Sequence, residues 1–241
     1  MTGIIGAMPE EVAMFKDSME ISGTVEYARM TFYRGVLKGQ DVVLLHSGVG
    51  KVNAAIGTQI MIDRFDVQQI LFTGLAGSLV PYLSRGDVVV SNYVVQYDFD
   101  LTAFGRRHGE LPNTGRMIEA DPRLVKFTCF GFDDIFKYEK DSPKLVVGTI
   151  VSGDRFVSDK RKIEWLQREF GAVATEMEGA AVGYTCFLND VPFVVLRTIS
   201  DSADDEAASD FEQSLHNASE NSFRIVSSIL EVMSYRSEVA E

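Results

Sequence analysis

The sequence predicts an α/β fold: a single domain, built as a sandwich around a mixed β-sheet. Three observations carry this. Apolar runs of strand length alternate with segments of helix length along the whole chain. Several of those runs end in turns rich in Gly, Ser or Asp. No internal repeat, low-complexity tract or linker divides the 241 residues, a length that one substantial core can organise. The domain is expected to span 1–241, with a core over about 1–233 and a frayed tail over 234–241.

Residues 2–7 read as a short apolar strand. Pro9-Glu10-Glu11 then opens a helix to about Met19, with Pro and acidic residues suited to a first turn. Residues 33–37 and 41–46 form a hairpin around Lys38-Gly39-Gln40. Ser47-Gly48-Val49-Gly50-Lys51 leads into a helix through about Arg64, and 69–73 is a buried strand ending in Gly74-Leu75-Ala76-Gly77-Ser78. Residues 87–97 are a Val-rich strand, and 98–122 a long loop, a kind of segment that is often functional in compact domains. Helix is expected over 123–137, strand over 144–151, and helix over 160–170 and 178–188. A buried strand over 193–200 and a closing helix over 211–235 complete the chain.

Composition narrows the function. At 46% hydrophobic and 24% charged, the chain is an ordinary globule. A net charge of −12 argues against wrapping a nucleic-acid backbone and leaves room for a single nucleoside. No apolar run is long enough to cross a membrane and no secretion signal is visible, so a cytoplasmic protein is expected. Cys129 and Cys186 read as reduced, buried packing residues. His46, His108 and His216 have no metal-ligand spacing, so neither metal nor cofactor is expected.

The motifs are individually weak. The Ser47–Lys51 stretch lacks the full phosphate-loop spacing, since Val52 follows Lys51; a strand-to-helix turn is the better reading. Glu10 and Glu11 singly read as first-turn carboxylates satisfied by the helix dipole. Phe156 singly reads as core or as a ring to stack on a planar base, and Met177 carries the same two readings. Glu178 and Asp201 are harder to dismiss. They stand at the ends of strongly apolar elements, where a carboxylate is costly unless it binds or catalyses something, and Ser200-Asp201 ends a buried strand, where open α/β sheets place ligands.

Taken together, seven motifs in order resemble 5′-methylthioadenosine/S-adenosylhomocysteine nucleosidases of the nucleoside phosphorylase superfamily. They are the stretch from Gly3 through Met8 to Glu11-Val12, Ser47 to Val52, Thr73 to Gly77, Asp98 to Gly105, Val151 to Phe156, Glu176-Met177-Glu178, and Ile199-Ser200-Asp201. The resemblance covers nearly the whole chain. It implies a three-layer, nucleoside phosphorylase-like sandwich, a mixed central β-sheet flanked by helices, and a homodimer.

The resemblance also implies roles. Glu11 would activate the attacking water and Arg197 would orient Glu11 or that water. Asp201 would protonate adenine N7, held by Ser200. Glu178 would bind the ribose hydroxyls, with Met177 packed on the sugar and Glu176 beside them. Phe156 would stack on adenine while the backbone of Val157 reads its edge. Met8, Val49 and Phe211 would line the 5′-alkylthio pocket, Ala76 and Gly77 would also contact substrate, and Leu101, Phe104 and Pro112 would come from the partner subunit. Two departures stand out: Leu75 where the family commonly carries a small polar residue, and Pro9 in place of an acidic one.

The implied reaction suits these residue types. Breaking an N-glycosidic bond passes through an oxocarbenium-like state, and two carboxylates divide the acid and base duties. Asp201 would have to hold a proton near neutral pH, which burial or a nearby negative charge favours, while Glu11 stays ionised. A phosphate-dependent phosphorylase of the same superfamily is the nearest rival. Such relatives hold phosphate with arginines from the early loop and the third strand end. Here the early loop is Met8-Pro9-Glu10-Glu11, no arginine lies within 72–78, and Glu11 would repel a dianion. A non-catalytic nucleoside sensor is the other rival, and it has no need for both an acid and a base.

Overall fold

The computed structural model describes residues 1–201 and 207–239, with the side chains of the last helix described at 215, 218 to 234. The elements are β1 (Thr2–Gly6), α1 (Pro9–Ser18), β2 (Glu20–Tyr27), β3 (Met30–Leu37), β4 (Gln40–His46), α2 (Lys51–Phe65), β5 (Gln69–Ser78) and β6 (Val88–Gln96). They continue with β7 (Ile118–Glu119), α3 (Pro122–Phe136), β8 (Leu145–Ser152), α4 (Lys160–Phe170), β9 (Ala172–Glu176), α5 (Gly179–Leu188), β10 (Phe193–Asp201) and α6 (Ala207–Val239).

All strands join one mixed sheet in the order β10-β6-β8-β9-β5-β1-β4-β3-β2, with β7 on β6. β1 runs parallel to β4 and β5, and β5 parallel to β10. The sheet also closes on itself, because β5 pairs with β10 along its length and with β9 at Gly77 and Ser78. Residues alternate between two cores, as strand geometry requires. Ile4, Leu44, Leu71 and Val194 face α1, α3 and α6, whereas Ile5, Leu45, Phe72 and Val195 face α2 and α5. Burial on both faces is why these strands read as continuous apolar runs. A third, smaller core puts Leu166 and Phe170 of α4 against Val95, Tyr97 and Val151.

Several expectations need correcting. β2 and β9 lie where no strand is expected. β2 is a polar, largely exposed edge strand paired only with β3, so it has no apolar pattern to read. β9 has five residues, and its short apolar stretch follows α4 without a turn longer than Gly171. The first hairpin strand begins at Met30, three residues earlier than expected. β5 does not stop at 73 but continues through the glycines to Ser78. The long loop carries a 3-10 turn at Thr102–Phe104 and the short strand β7. α6 begins at Ala207 and runs to Val239, into the segment assigned to a tail. Cys186 is buried, but Cys129 is only half-buried.

Candidate active site

Strand and helix ends surround one cavity of about 480 Å³, within the range of small-molecule sites. Its wall comes from Ala7 and Met8 after β1, Glu11 of α1, Val49 before α2, and Leu75, Ala76 and Gly77 of β5. Arg155, Phe156 and Val157 after β8, Thr175 to Glu178 at the end of β9, Ser200 and Asp201 of β10, and Leu215 of α6 complete it.

Glu11 sits in the first turn of α1 and is 4% exposed. Its Oε2 accepts from the backbone N–H groups of Ala7 (2.7 Å) and Met8 (3.0 Å), and Oε1 from that of Leu75 (3.0 Å). The carboxylate thus satisfies the bare start of its own helix. Three N–H groups stabilise its charged form while Oε1 keeps a lone pair. Burial is the largest influence and pushes its pKa up. The Arg197 charge and the three N–H groups pull it down without cancelling the rise. A buried carboxyl with a raised pKa is a stronger base toward water than a solvated one.

Asp201 ends β10 and is 3% exposed. The β10–β5 register shifts between Ile199 and Asp201, a bulge that re-aims the last side chain of the strand. The Ser200 hydroxyl donates to Asp201 Oδ2 at 2.6 Å.

Glu178 occupies the N-cap position of α5, its side chain turned away from that helix, and is 5% exposed. Its Oε1 accepts from the Gly50 N–H at 2.7 Å, and its Oε2 lies 3.7 Å from Arg197 Nη2. Burial and the neighbouring Glu176 charge push its pKa up to about 8, against the opposing pull of Arg197 and the Gly50 N–H.

One residue grouped with the site by sequence stands behind the cavity wall. Arg197 is 1% exposed and is absent from the cavity wall. It stacks on the Phe72 ring and makes its closest ion pair with Glu176. Burial works against its charge, and the Glu176, Glu11 and Glu178 carboxylates more than offset that, so its pKa is raised. Glu176 reaches the wall, but both its oxygens are engaged. They accept from Arg197, the Ser152 hydroxyl and the N–H groups of Glu178 and Gly179. Arg197 therefore stands behind the cavity wall, while Glu176 lies in the wall with its carboxylate tied to Arg197, Ser152 and the start of α5.

Among the other expected site residues, Met8, Val49, Ala76, Gly77, Phe156, Val157, Met177 and Ser200 all line the cavity. The side chain of Phe211 lies outside the described residues. Leu101, Phe104 and Pro112 do not line the cavity of their own chain, and Phe104 is 80% exposed. Thr175, Arg155 and Leu215 line it without an assigned role; Arg155 fills an open position of the Val151–Phe156 motif and Thr175 directly precedes Glu176. Ser152, which donates to Glu176 and accepts from the Ala180 N–H at 2.7 Å, belongs to the Val151–Phe156 motif but carries no assigned role in sequence. Among the described residues, no three His, Cys, Asp or Glu side chains gather as metal ligands, and no helix is long and apolar enough to cross a membrane.

The family model described as the phosphorylase superfamily matches residues 2–231. The 5′-methylthioadenosine/S-adenosylhomocysteine nucleosidase of Staphylococcus haemolyticus is 41% identical over 97% of this chain and 100% of its own. A solved nucleosidase of that name from Colwellia psychrerythraea, in complex with adenine, superposes with a TM-score of 0.90 at 40% identity, covering 95% of this chain and 93% of that one. Futalosine hydrolase of Helicobacter pylori superposes with a TM-score of 0.89 at 35% identity, over 95% and 97%. With its fold, the carboxylates around its cavity and full-length similarity in agreement, the chain belongs to the 5′-methylthioadenosine/S-adenosylhomocysteine nucleosidase family of the phosphorylase superfamily.

Proposed function

We propose that this cavity hydrolyses the N-glycosidic bond of 5′-methylthioadenosine and S-adenosylhomocysteine, releasing adenine and the 5-substituted ribose. The observation that carries this reading is the convergence of Glu11 and Asp201, buried carboxylates from opposite ends of the chain, on one cavity with Glu178. As the bond from the anomeric carbon to adenine lengthens, its electron pair moves into the base, and Asp201 gives a proton to N7. Water attacks the anomeric carbon and loses a proton to Glu11 through the free lone pair of Oε1. The Oε2 of Glu178 is left to bond the ribose hydroxyls, because Oε1 is held by Gly50. Phe156 stacks on adenine, and Met8, Val49, Met177 and Leu215 form the apolar wall for the sugar and its 5′-substituent.

The protein acts as a cytoplasmic homodimer feeding methionine and purine salvage. Leu101, Phe104 and Pro112 of one subunit complete the cavity of the other. Supporting this is their position outside their own cavity, with Phe104 presented to solvent. Similarity to a futalosine hydrolase adds futalosine-type nucleosides to the candidate substrates, and Leu75, on the wall, is the departure from the family pattern that bears on the preference.

Adenine release from methylthioadenosine in phosphate-free buffer tests the reaction; strict dependence on added phosphate would assign a phosphorylase instead. Asp201→Asn is expected to abolish turnover while the far-ultraviolet spectrum and the thermal transition persist. Retained turnover in that variant removes Asp201 as the acid. A panel of methylthioadenosine, S-adenosylhomocysteine, 5′-deoxyadenosine and aminofutalosine, compared by kcat/KM, ranks the substrates.

A further inference from the structure

Helix α2 begins without a local cap. Its N-cap is Gly50, no side chain caps it, and its first turn carries no acidic residue. Two distant carboxylates take that place. Glu178 accepts from the Gly50 N–H, and Asp154 Oδ1 accepts from the Lys51 N–H at 2.8 Å. Both lie at the positive end of the helix, where anions are favoured.

The second contact belongs to a closed ring. Lys51 Nζ lies 2.6 Å from Asp98 Oδ1 and donates more weakly to Gln96 Oε1 at 3.4 Å. Asp98 Oδ2 accepts from the Asp154 N–H at 3.0 Å, and Asp154 returns to the Lys51 N–H. Three charged residues thus link three separate segments. One is the turn before α2, whose Val49 lines the cavity. The second is the turn after β8, whose Arg155, Phe156 and Val157 line it. The third is the exit of β6 into the long loop. Arg155, Lys162 and Tyr97 are the other titratable groups at this edge, with Lys162 Nζ 4.7 Å from the Tyr97 ring centre.

We propose that Asp154 is a positioning residue that, through its ring with Lys51 and Asp98, holds the two turns carrying Val49 and Phe156 in register across the cavity. Asp154 is exposed, and exposed ion pairs contribute little to global stability. The ring's effect falls on the relative placement of two short turns, and small misplacements of binding groups weaken substrate capture. This inference rests on the nucleosidase reading for its kinetic arm only.

The test uses the full chain with Asp154→Ala, Lys51→Met and the double variant, assayed with methylthioadenosine. Each single variant is expected to raise KM about tenfold with kcat within about twofold of wild type, the scale of one charge-assisted hydrogen bond. The double variant is expected to be no worse than either single one, since opening the ring once removes its effect. Asp154→Asn, which keeps an acceptor oxygen for the Lys51 N–H, is expected to restore most of the loss. Hydrogen exchange of the ligand-free protein is expected to rise over 47–51 and 153–157 together in Asp154→Ala. Unchanged KM, additive losses in the double variant, a fall in kcat at constant KM, or faster exchange over 153–157 alone would each overturn the proposal. If wild type fails to cleave methylthioadenosine, the nucleosidase reading falls, and the exchange experiment still decides the ring.

Discussion

Gly74 sits at φ +152° beside Arg197 and Glu11. A Cβ there would collide with Arg197 Nη1 and come within 2.5 Å of Glu11 Oε1. Gly74→Ala is therefore expected to displace Glu11 and lower kcat/KM by about a hundredfold or more, the scale of a displaced catalytic group. Steady-state kinetics on a folded sample check this, and near-wild-type kinetics would show that Glu11 tolerates the shift. Glu178 carries the residue-scale pH prediction. Its folded-state pKa is raised from 4.5 to about 8, so folding favours the neutral carboxyl. Its contribution to stability is full below 4.5 and is lost as pH rises to about 8, at roughly 1.4 kcal/mol per pH unit within that window. Glu178→Gln, which cannot ionise, is expected to gain thermal stability relative to wild type as pH rises from about 5 to 8. Parallel melting curves for both proteins across that range would contradict it. Glu11 shows how one residue supports two readings. As a first-turn carboxylate its capping role is visible in sequence, and the same side chain faces the cavity.

At the scale of elements, close approach of helix to sheet is set by missing side chains. Gly183 of α5 lies so near β6 and β10 that a Cβ would meet Val94 Cγ2 at 2.6 Å and Phe193 Cζ at 2.7 Å. Gly183→Ala is expected to destabilise the fold by about 1–3 kcal/mol through overpacking, despite the better helix propensity of Ala. Urea unfolding measures it, and an unchanged or higher midpoint would show that the helix can retreat. Buried elements were the legible ones. β1, β4, β6, β8 and β10 announce themselves as apolar runs because both faces are covered, and α1 by Pro9 and its acidic turn. β2 was illegible because an exposed edge strand needs no apolar alternation. The extension of β5 was hidden because Gly74 and Gly77 look like a turn. Only the pairing with β9 and β10 makes them strand.

For the whole molecule, the proposed exchange of the 101–112 loop between subunits makes a mixing prediction. Phe104→Ala keeps its own catalytic groups but supplies a defective loop, whereas Asp201→Asn supplies an intact loop to a dead site. Each alone is expected to be poorly active. Mixed under conditions that exchange subunits, they form one site with sound groups from both, and activity is expected to recover. No recovery, with light scattering showing mixed dimers, would confine the site to one chain. The sequence by itself determined the fold class, through apolar periodicity that any two-sided sheet imposes, and the residue types available for chemistry at its strand ends. It also carried the motifs by which the family is recognised. Only the tertiary structure decided which of those residues meet. It placed Glu11 and Asp201 on one cavity, drew Arg197 back behind the wall onto Glu176, and joined Lys51, Asp98 and Asp154 into a ring. The physical reason is that hydrogen bonds and ion pairs act over a few ångströms, and the closing of the sheet brings together groups far apart along the chain.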